Sequence, residues 1–413
     1  MNKFQLYFYR MICYNFIIIK QRRVFMKYDF DKITDRKGTS SLKWDTRENE
    51  LPMWVADMDF ETAPAIVEAI EKRAENGIFG YSVVPDEWSR SICNWWKNRH
   101  RYEMKPESLV FCTGVVPAIS SIVRKMTAVG ENVLIQTPVY NIFFNSILNN
   151  GRRVIENKLL YDGKAYSVDF DDLEKKLADP QTTLMLLCNP QNPVGKIWDK
   201  ETLIKIGELC IKHNVLIVSD EIHCDLTDPD KEYIPFASIS EEFEMNSITC
   251  ISPTKTFNIA GLQTSAVMIP NNVIRRKVER GLNTDEVAEP NVFAINAAIA
   301  AFNEGGEWLD ELKKYIYKNK QTVKDYLDKN VPQIKLVYSE ATYLLWLDCT
   351  SFVKDGDSFA GFVRKNSGLW VSDGSAYGNG DKFLRMNIAT QRERVLDGLE
   401  RLKKSVNEYI AAK

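Results

Sequence analysis

Histidine is scarce in this chain, with three residues among 413, and the eight cysteines are scattered without a C-x-x-C pair. Those two shortages exclude the usual zinc-ligand spacings, so no metal is expected. The thiols read as free, which suits a reducing compartment. Charge of one sign is not in excess: Lys plus Arg number 54 against 56 for Asp plus Glu, a net charge of −2. A nucleic-acid binder would carry a basic surplus, so no such partner is expected. Long apolar runs are missing too. The most apolar N-terminal piece, Tyr14 to Ile19, is far short of the roughly 20 residues of a membrane span. No small-residue cleavage site follows it. Together these absences predict a cytoplasmic protein without membrane attachment. No G-x-G-x-x-G follows the first strand of the parallel set, which argues against a nucleotide-binding dehydrogenase. Internal repeats and low-complexity linkers are absent.

What is present is an ordinary globular composition, 45% apolar and 27% charged. The length is enough for two to three domains. Residues 1–25 stand apart as aromatic and basic. Met26-Lys27-Tyr28-Asp29-Phe30 makes a more natural beginning, so 1–25 is expected to be an extension outside the fold.

From Leu109 onward the pattern is strand, loop, helix, repeated. Strands are expected at Leu109–Cys112, Asn132–Gln136, Thr183–Cys188, Val215–Ser219, Ser247–Ile251 and Ser265–Ile269. Near-continuous apolar strands alternating with helices predict an α/β fold with a mostly parallel sheet covered on both faces. Upstream, Thr62 is a plausible cap for a helix ending at Gly77, and Asp86–Arg101 puts Trp88, Ile92, Trp95 and Trp96 on one side of a second helix. After Asn296 the character shifts to α+β: a long helix Glu307–Lys329, strands at Ile334–Val337, Leu344–Leu347 and Lys382–Ala389, and helices Ser358–Lys365 and Arg392–Ile410. A domain boundary is placed near residue 300.

The chemistry gathers where strands end, since ligands of open α/β sheets bind beyond the carboxyl ends of the strands. Lys255, in SPTKTFN, follows the strand Ser247–Ile251 and is expected in a loop. It is either a solvated lysine or one that forms a Schiff base with pyridoxal phosphate (PLP), with Ser252 and Thr254 near the phosphate. Asp220 ends another apolar strand. It needs a cation or several donors; a protonated pyridine nitrogen would serve, as would a core salt bridge or a cap. Thr113-Gly114-Val115-Val116 opens a helix whose free amides would hold a phosphate or simply cap a turn. Tyr140 could stack on a ring or pack in the core. Asn192 could build a turn or donate to a phenolic oxygen. Arg385 could clamp a carboxylate bidentately or form a surface ion pair. His223 is open between a satisfied core histidine and a site residue.

Taken in order, Asn192 in NPQNPVGK, Asp220 in SDEIH, Lys255 in SPTKTFN and Arg385 in FLRMN make the chain, from about Tyr28 onward, resemble the fold type I PLP enzymes, the aspartate aminotransferase superfamily. More narrowly, PMWVADMDF (Pro52–Phe60), GVVPAI (Gly114–Ile119) and TPVYNIFF (Thr137–Phe144) look like the MalY/PatB branch, the cystathionine β-lyase or cysteine-S-conjugate β-lyase type. The resemblance implies a large PLP-binding domain, 66–300. A small domain, 301–413, follows, with 26–65 associated with it. It implies that Lys255 carries the cofactor, Asp220 pairs with the pyridine nitrogen, Asn192 bonds the phenolic oxygen and Tyr140 stacks on the ring. Val115, Val116 and Ser252 would contact the phosphate, and Arg385 the substrate α-carboxylate. Tyr81 would reach the phosphate of the neighbouring subunit, which implies a homodimer with shared sites. Two departures stand out. His223 occupies a position where the aminotransferase pattern has tyrosine, and Gln263 one where many members have a phosphate-binding arginine. The expected substrate is an L-amino acid with a β-thioether, such as cystathionine. An aminotransferase would use the same residues, and a regulatory role through protein contacts stays open.

Overall fold

The computed structural model describes residues 28–354 and 358–412; the extension 1–25 lies outside the described residues. The chain enters with a two-residue strand, β1 (Leu51–Pro52), and two helices, α1 (Pro64–Glu75) and α2 (Asp86–His100). Seven strands then build one sheet: β2 (Leu109–Cys112), β3 (Asn132–Thr137), β4 (Arg153–Lys158), β5 (Thr182–Cys188), β6 (Leu216–Asp220), β7 (Ser247–Ile251) and β8 (Ser265–Met268). Their order is β2-β8-β7-β6-β5-β3-β4. Strands β4, β3, β5, β6 and β7 run parallel, while β8 is antiparallel to both its neighbours. Two reversals cancel, so β2 points the same way as β7. The carboxyl ends of six strands therefore share one edge.

The continuous apolar strands have a direct cause. In β5, Leu184 and Leu186 face a core under α3 (Val115–Met126), while Met185 and Leu187 face another under α4 (Lys200–Lys212). Both faces are covered, so both phases of the strand must be apolar. Each fully buried side chain of this kind contributes roughly 1.5–3 kcal/mol. The edge strand β4 was not legible: its Arg-Val-Ile-Glu-Asn-Lys pairs on one side only and is partly exposed, so the apolar signal is lost. Past β7 the chain makes a single helical turn, α5 (Pro253–Thr256), and then the helix α6 (Asn272–Thr284), which the sequence reading passed over. The Asn271 side chain caps α6 by accepting from Val273 N and Ile274 N.

Helix α7 (Ala294–Glu304) spans residue 300 and is followed by α8 (Gly306–Asn330). At the joint, a side chain on Gly305 would run into the Phe257 ring, so only glycine lets this corner close on the turn that carries Lys255. A second sheet follows: β9 (Lys335–Leu336), β10 (Leu344–Asp348), β12 (Ser372–Asp373) and β13 (Phe383–Asn387), antiparallel in the order β9-β10-β13-β12. Between them, β11 (Leu369–Trp370) pairs in parallel with β1. Helices α9 (Phe359–Ser367) and α10 (Arg392–Ala411) pack on each other beside it. The pairing of β1 with β11 ties the N-terminal segment to the second sheet. Thr62 does not cap α1; its hydroxyl donates to Phe257 O at 2.6 Å.

Candidate active site

Lys255 sits on α5, one helical turn beyond β7, and not in a loop as expected. The turn forms because Ser252 caps it: its Oγ accepts Thr254 N at 3.1 Å while donating to Thr264 O at 2.7 Å. With that proton committed, the Thr254 hydroxyl donates to Ser252 Oγ at 2.7 Å. Asp225 anchors the same turn from behind. It accepts from Thr256 Oγ1, Trp95 Nε1 and His100 Nε2, at 3.1, 2.9 and 2.9 Å. His100, Cys224 and Asp225 cluster tightly, but burial pushes the Cys224 thiol well up. The carboxylate already has its donors, so the cluster reads as a buried network holding Lys255 in place. It was missed because its members are far apart in sequence.

The Lys255 amine donates to Ala56 O at 2.7 Å. The same carbonyl accepts from Tyr343 Oη at 3.0 Å. Burial, then the nearby Arg385, lowers the Lys255 pKa to about 8, with Asp57 and Asp220 pulling the other way. Asp220, the last residue of β6, is 4% exposed, and among the described residues its carboxylate accepts one hydrogen bond, from Ile222 N at 3.1 Å. Burial raises its pKa to about 7, although the Ile222 amide and Lys255 favour the charged form. His223 is buried with Nδ1 unpartnered, and burial, then Lys255 and Arg385, lower it to about 3. Among the described residues Nδ1 finds no donor or acceptor, which favours a site role over the satisfied-histidine reading.

Arg385 lies on β13 of the second sheet, buried at 5% exposure. Its Nη1 donates to Asn192 Oδ1 at 3.2 Å and its Nη2 to Trp54 O at 2.9 Å. Its Nε is buried without a partner. No carboxylate among the described residues lies within ion-pair distance of it, so the surface ion-pair reading is wrong. A buried guanidinium with neutral partners alone is costly. Its position is primed for an anion.

Tyr140, half-buried, meets Phe143 edge-on and lines the same cleft, where burial raises its hydroxyl to about 12. Val115 and Val116 open α3 behind Gly114, which supplies no side-chain cap, so the first amides of the helix are free for an anion. Gln263 is exposed, in a left-handed backbone conformation at φ 52°, and adds no charge. Tyr81 is fully exposed within one chain, on a segment where Ile78, Phe79 and Val83 are exposed too. Of the expected residues, Lys255, Tyr140 and Arg385 line the cleft and Asn192 bonds Arg385, while Val115, Val116, Asp220, His223, Ser252 and Tyr81 are not among its lining residues.

The cleft that Lys255, Tyr140 and Arg385 share measures about 620 Å³, and Trp54, Trp370 and Tyr377 complete it. A slightly larger one, about 690 Å³, opens among Lys72, Glu87 and Asn303, and none of the site residues lines it. Over residues 49–402 the sequence matches the family described as aminotransferase class I and II. The chain belongs to that family. Within it, cystathionine beta-lyase PatB of Bacillus subtilis (strain 168) is 42% identical, over 92% of this chain and 100% of that protein. Protein MalY of Escherichia coli (strain K12) is 32% identical, over 90% and 97%. The crystal structure of the PLP-bound C-S lyase from Staphylococcus hominis superposes with a TM-score of 0.88 at 32% identity, covering 92% and 98%. Among the described residues no helix is long and apolar enough to cross a membrane.

PLP is the cofactor of the enzymes this family member resembles, and the residues here fit it. An amine, a buried carboxylate short of donors, an uncapped helix start and a tyrosine ring lie at one sheet edge. They match the aldehyde, the pyridinium nitrogen, the phosphate and the ring face of that molecule in kind and sign. The unpartnered Nδ1 of His223 adds a polar atom in search of a partner. Ser252 can serve the phosphate only if its proton turns away from Thr264 O.

Proposed function

We propose that this chain is a PLP-dependent carbon–sulfur β-lyase. It converts an L-amino acid with a β-thioether, cystathionine or a related cysteine S-conjugate, into a thiol, pyruvate and ammonia. The observation that carries the PLP-enzyme part of this reading is one cleft holding Lys255 and Arg385, neither with a carboxylate at ion-pair distance among the described residues, beside the buried Asp220. When bound, PLP supplies an electron sink for the charge that builds at the substrate α-carbon.

The rest is the work of side chains. Arg385 receives the α-carboxylate, its fork already oriented by Asn192 and Trp54 O. Lys255, with a pKa near 8, is in part a free amine at neutral pH and takes the α-proton. Asp220 offers a negative charge that keeps a ring nitrogen protonated. Asn192 has amide hydrogens to give to a phenolic oxygen. The sulfur leaves as a thiolate; a thiol pKa of about 8.5 means that little acid assistance is needed. Cleavage of the C–S bond frees the thiol, and addition of one water to the three-carbon remainder gives pyruvate and ammonia.

Site geometry alone fits an aminotransferase equally well, and the β-lyase reading is supported by the likeness to PatB. Tyr81, exposed on its apolar segment, is assigned to the site of a second copy of the chain, in a cytoplasmic homodimer. Incubation of the holoenzyme with cystathionine alone decides the reaction type. Thiol and pyruvate should accumulate in equal amounts over many turnovers without a keto acid. Arrest after one equivalent, relieved by adding a keto acid, would make the enzyme an aminotransferase instead.

A further inference from the structure

We propose that the outer half of the cleft binds the flat, apolar leaving group of a cysteine S-conjugate in preference to the zwitterionic half of cystathionine; this rests on the β-lyase reading above. Arg385 fixes where the substrate carboxylate sits, and it is tied to Trp54 through the carbonyl of that residue at 2.9 Å. Ser372 Oγ donates to the same carbonyl at 3.2 Å. The Trp54 indole stacks on Trp370, with centroids 4.5 Å apart and planes 15° apart. The Arg364 guanidinium also lies over the Trp370 ring, 3.4 Å from its centre. Pairing of β1 with β11, which sets Pro52 against Trp370, fixes the backbone of this wall.

The cation at the wall is already paired, and the carboxylate near it is hydrogen-bonded by neutral groups. Glu50 meets the Arg364 fork with two hydrogen bonds, at 2.8 and 3.1 Å. Asp373 accepts from Ser358 Oγ at 2.9 Å and from Ser375 N and Oγ at 3.0 and 2.8 Å. Leu42, Ile142 and Val371 supply apolar lining. A second carboxylate entering here would lose water against Arg364, a cation that Glu50 already holds, whereas its ammonium could still meet Asp373, whose donors are hydroxyls and an amide. An aromatic ring instead meets an indole wall held rigid in advance, a contact that is worth up to about tenfold in affinity.

The test uses holoenzyme and ligands that cannot be cleaved, with CH2 in place of sulfur. They are 2-amino-5-phenylpentanoate, 2,7-diaminooctanedioate and 2-aminopentanoate, titrated by calorimetry. The phenyl ligand should bind about tenfold more tightly than the diacid. Trp370→Ala should reduce the ratio of phenyl to short-ligand affinity about tenfold, and Trp370→Phe should restore most of it. Trp370→Leu, which keeps apolar bulk, gives the same comparison if the alanine variant does not fold. Equal or tighter binding of the diacid, or a ratio that does not change in the variants, overturns the proposal. Pyruvate release from S-benzyl-L-cysteine and cystathionine is measured alongside. Its absence for both rejects the lyase reading, while the binding ratios judge the wall independently.

Discussion

Asp220 carries a cost in the cofactor-free protein that only its role explains. Its native pKa of about 7 lies above the ordinary 3.8 because it is buried. The folded state therefore holds the proton more tightly. The stability this gives is complete below about pH 4 and is lost as pH rises through about 7. A shift of this size corresponds to about 4 kcal/mol. Asp220→Asn should accordingly match wild type near pH 4 and be more stable by about 2–4 kcal/mol at pH 8, with the cofactor removed. Urea unfolding at the two pH values checks this, and a difference that does not vary with pH would refute it. The same variant should lose most of its turnover, since the site gives up the carboxylate proposed to face the ring nitrogen.

The segment from Trp54 to Phe60 shows how one element is fixed from several sides. Asn387 Nδ2 donates to Val55 O at 2.5 Å and to Asp57 O at 2.6 Å, and Asn258 binds Met58 and Phe60. Asp59 is anchored by the buried Lys43 at 3.1 Å, Arg36 at 2.8 Å and Trp44 Nε1 at 2.7 Å. Burial disfavours its charge, yet Lys43 and Trp44 outweigh that and hold its pKa below the usual value. This segment has no helical or strand period. Its conformation comes from side chains distant in sequence, and it gives the site the carbonyls of Trp54 and Ala56. Lys43→Met leaves Asp59 short of a charge partner. It should cost about 3 kcal/mol in urea unfolding and raise the KM for the thioether substrate. An unchanged unfolding midpoint would show that Arg36 and Arg394 suffice.

At the scale of the whole molecule, the exposed stretch of Ile78, Phe79, Tyr81 and Val83 is where a second copy is proposed to dock. Mixing Lys255→Ala subunits with Tyr81→Phe subunits tests shared sites. Each hybrid dimer would contain one site with both residues intact. Statistical exchange should then recover about a quarter of wild-type activity, given two-fold symmetry. If exchange is demonstrated and Tyr81→Phe alone is impaired, the absence of recovery places Tyr81 outside the neighbouring site.

The sequence by itself determined the central strands, because a strand buried on both faces must be apolar throughout, and Leu184 to Leu187 declare that locally. It also determined Asn192, Asp220, Lys255 and Arg385 as candidates, since each lies in a short motif at a strand end or on a strand. Tertiary structure alone decided the rest. The edge strand β4 carries no apolar run because one side of it is unpaired. Thr62 looks like a cap but bonds to Phe257, 195 residues away. The Trp54–Trp370 wall and the Asp225 anchor join residues with no local relation. Their free energy is gained only when distant segments meet, so no window of sequence can register them.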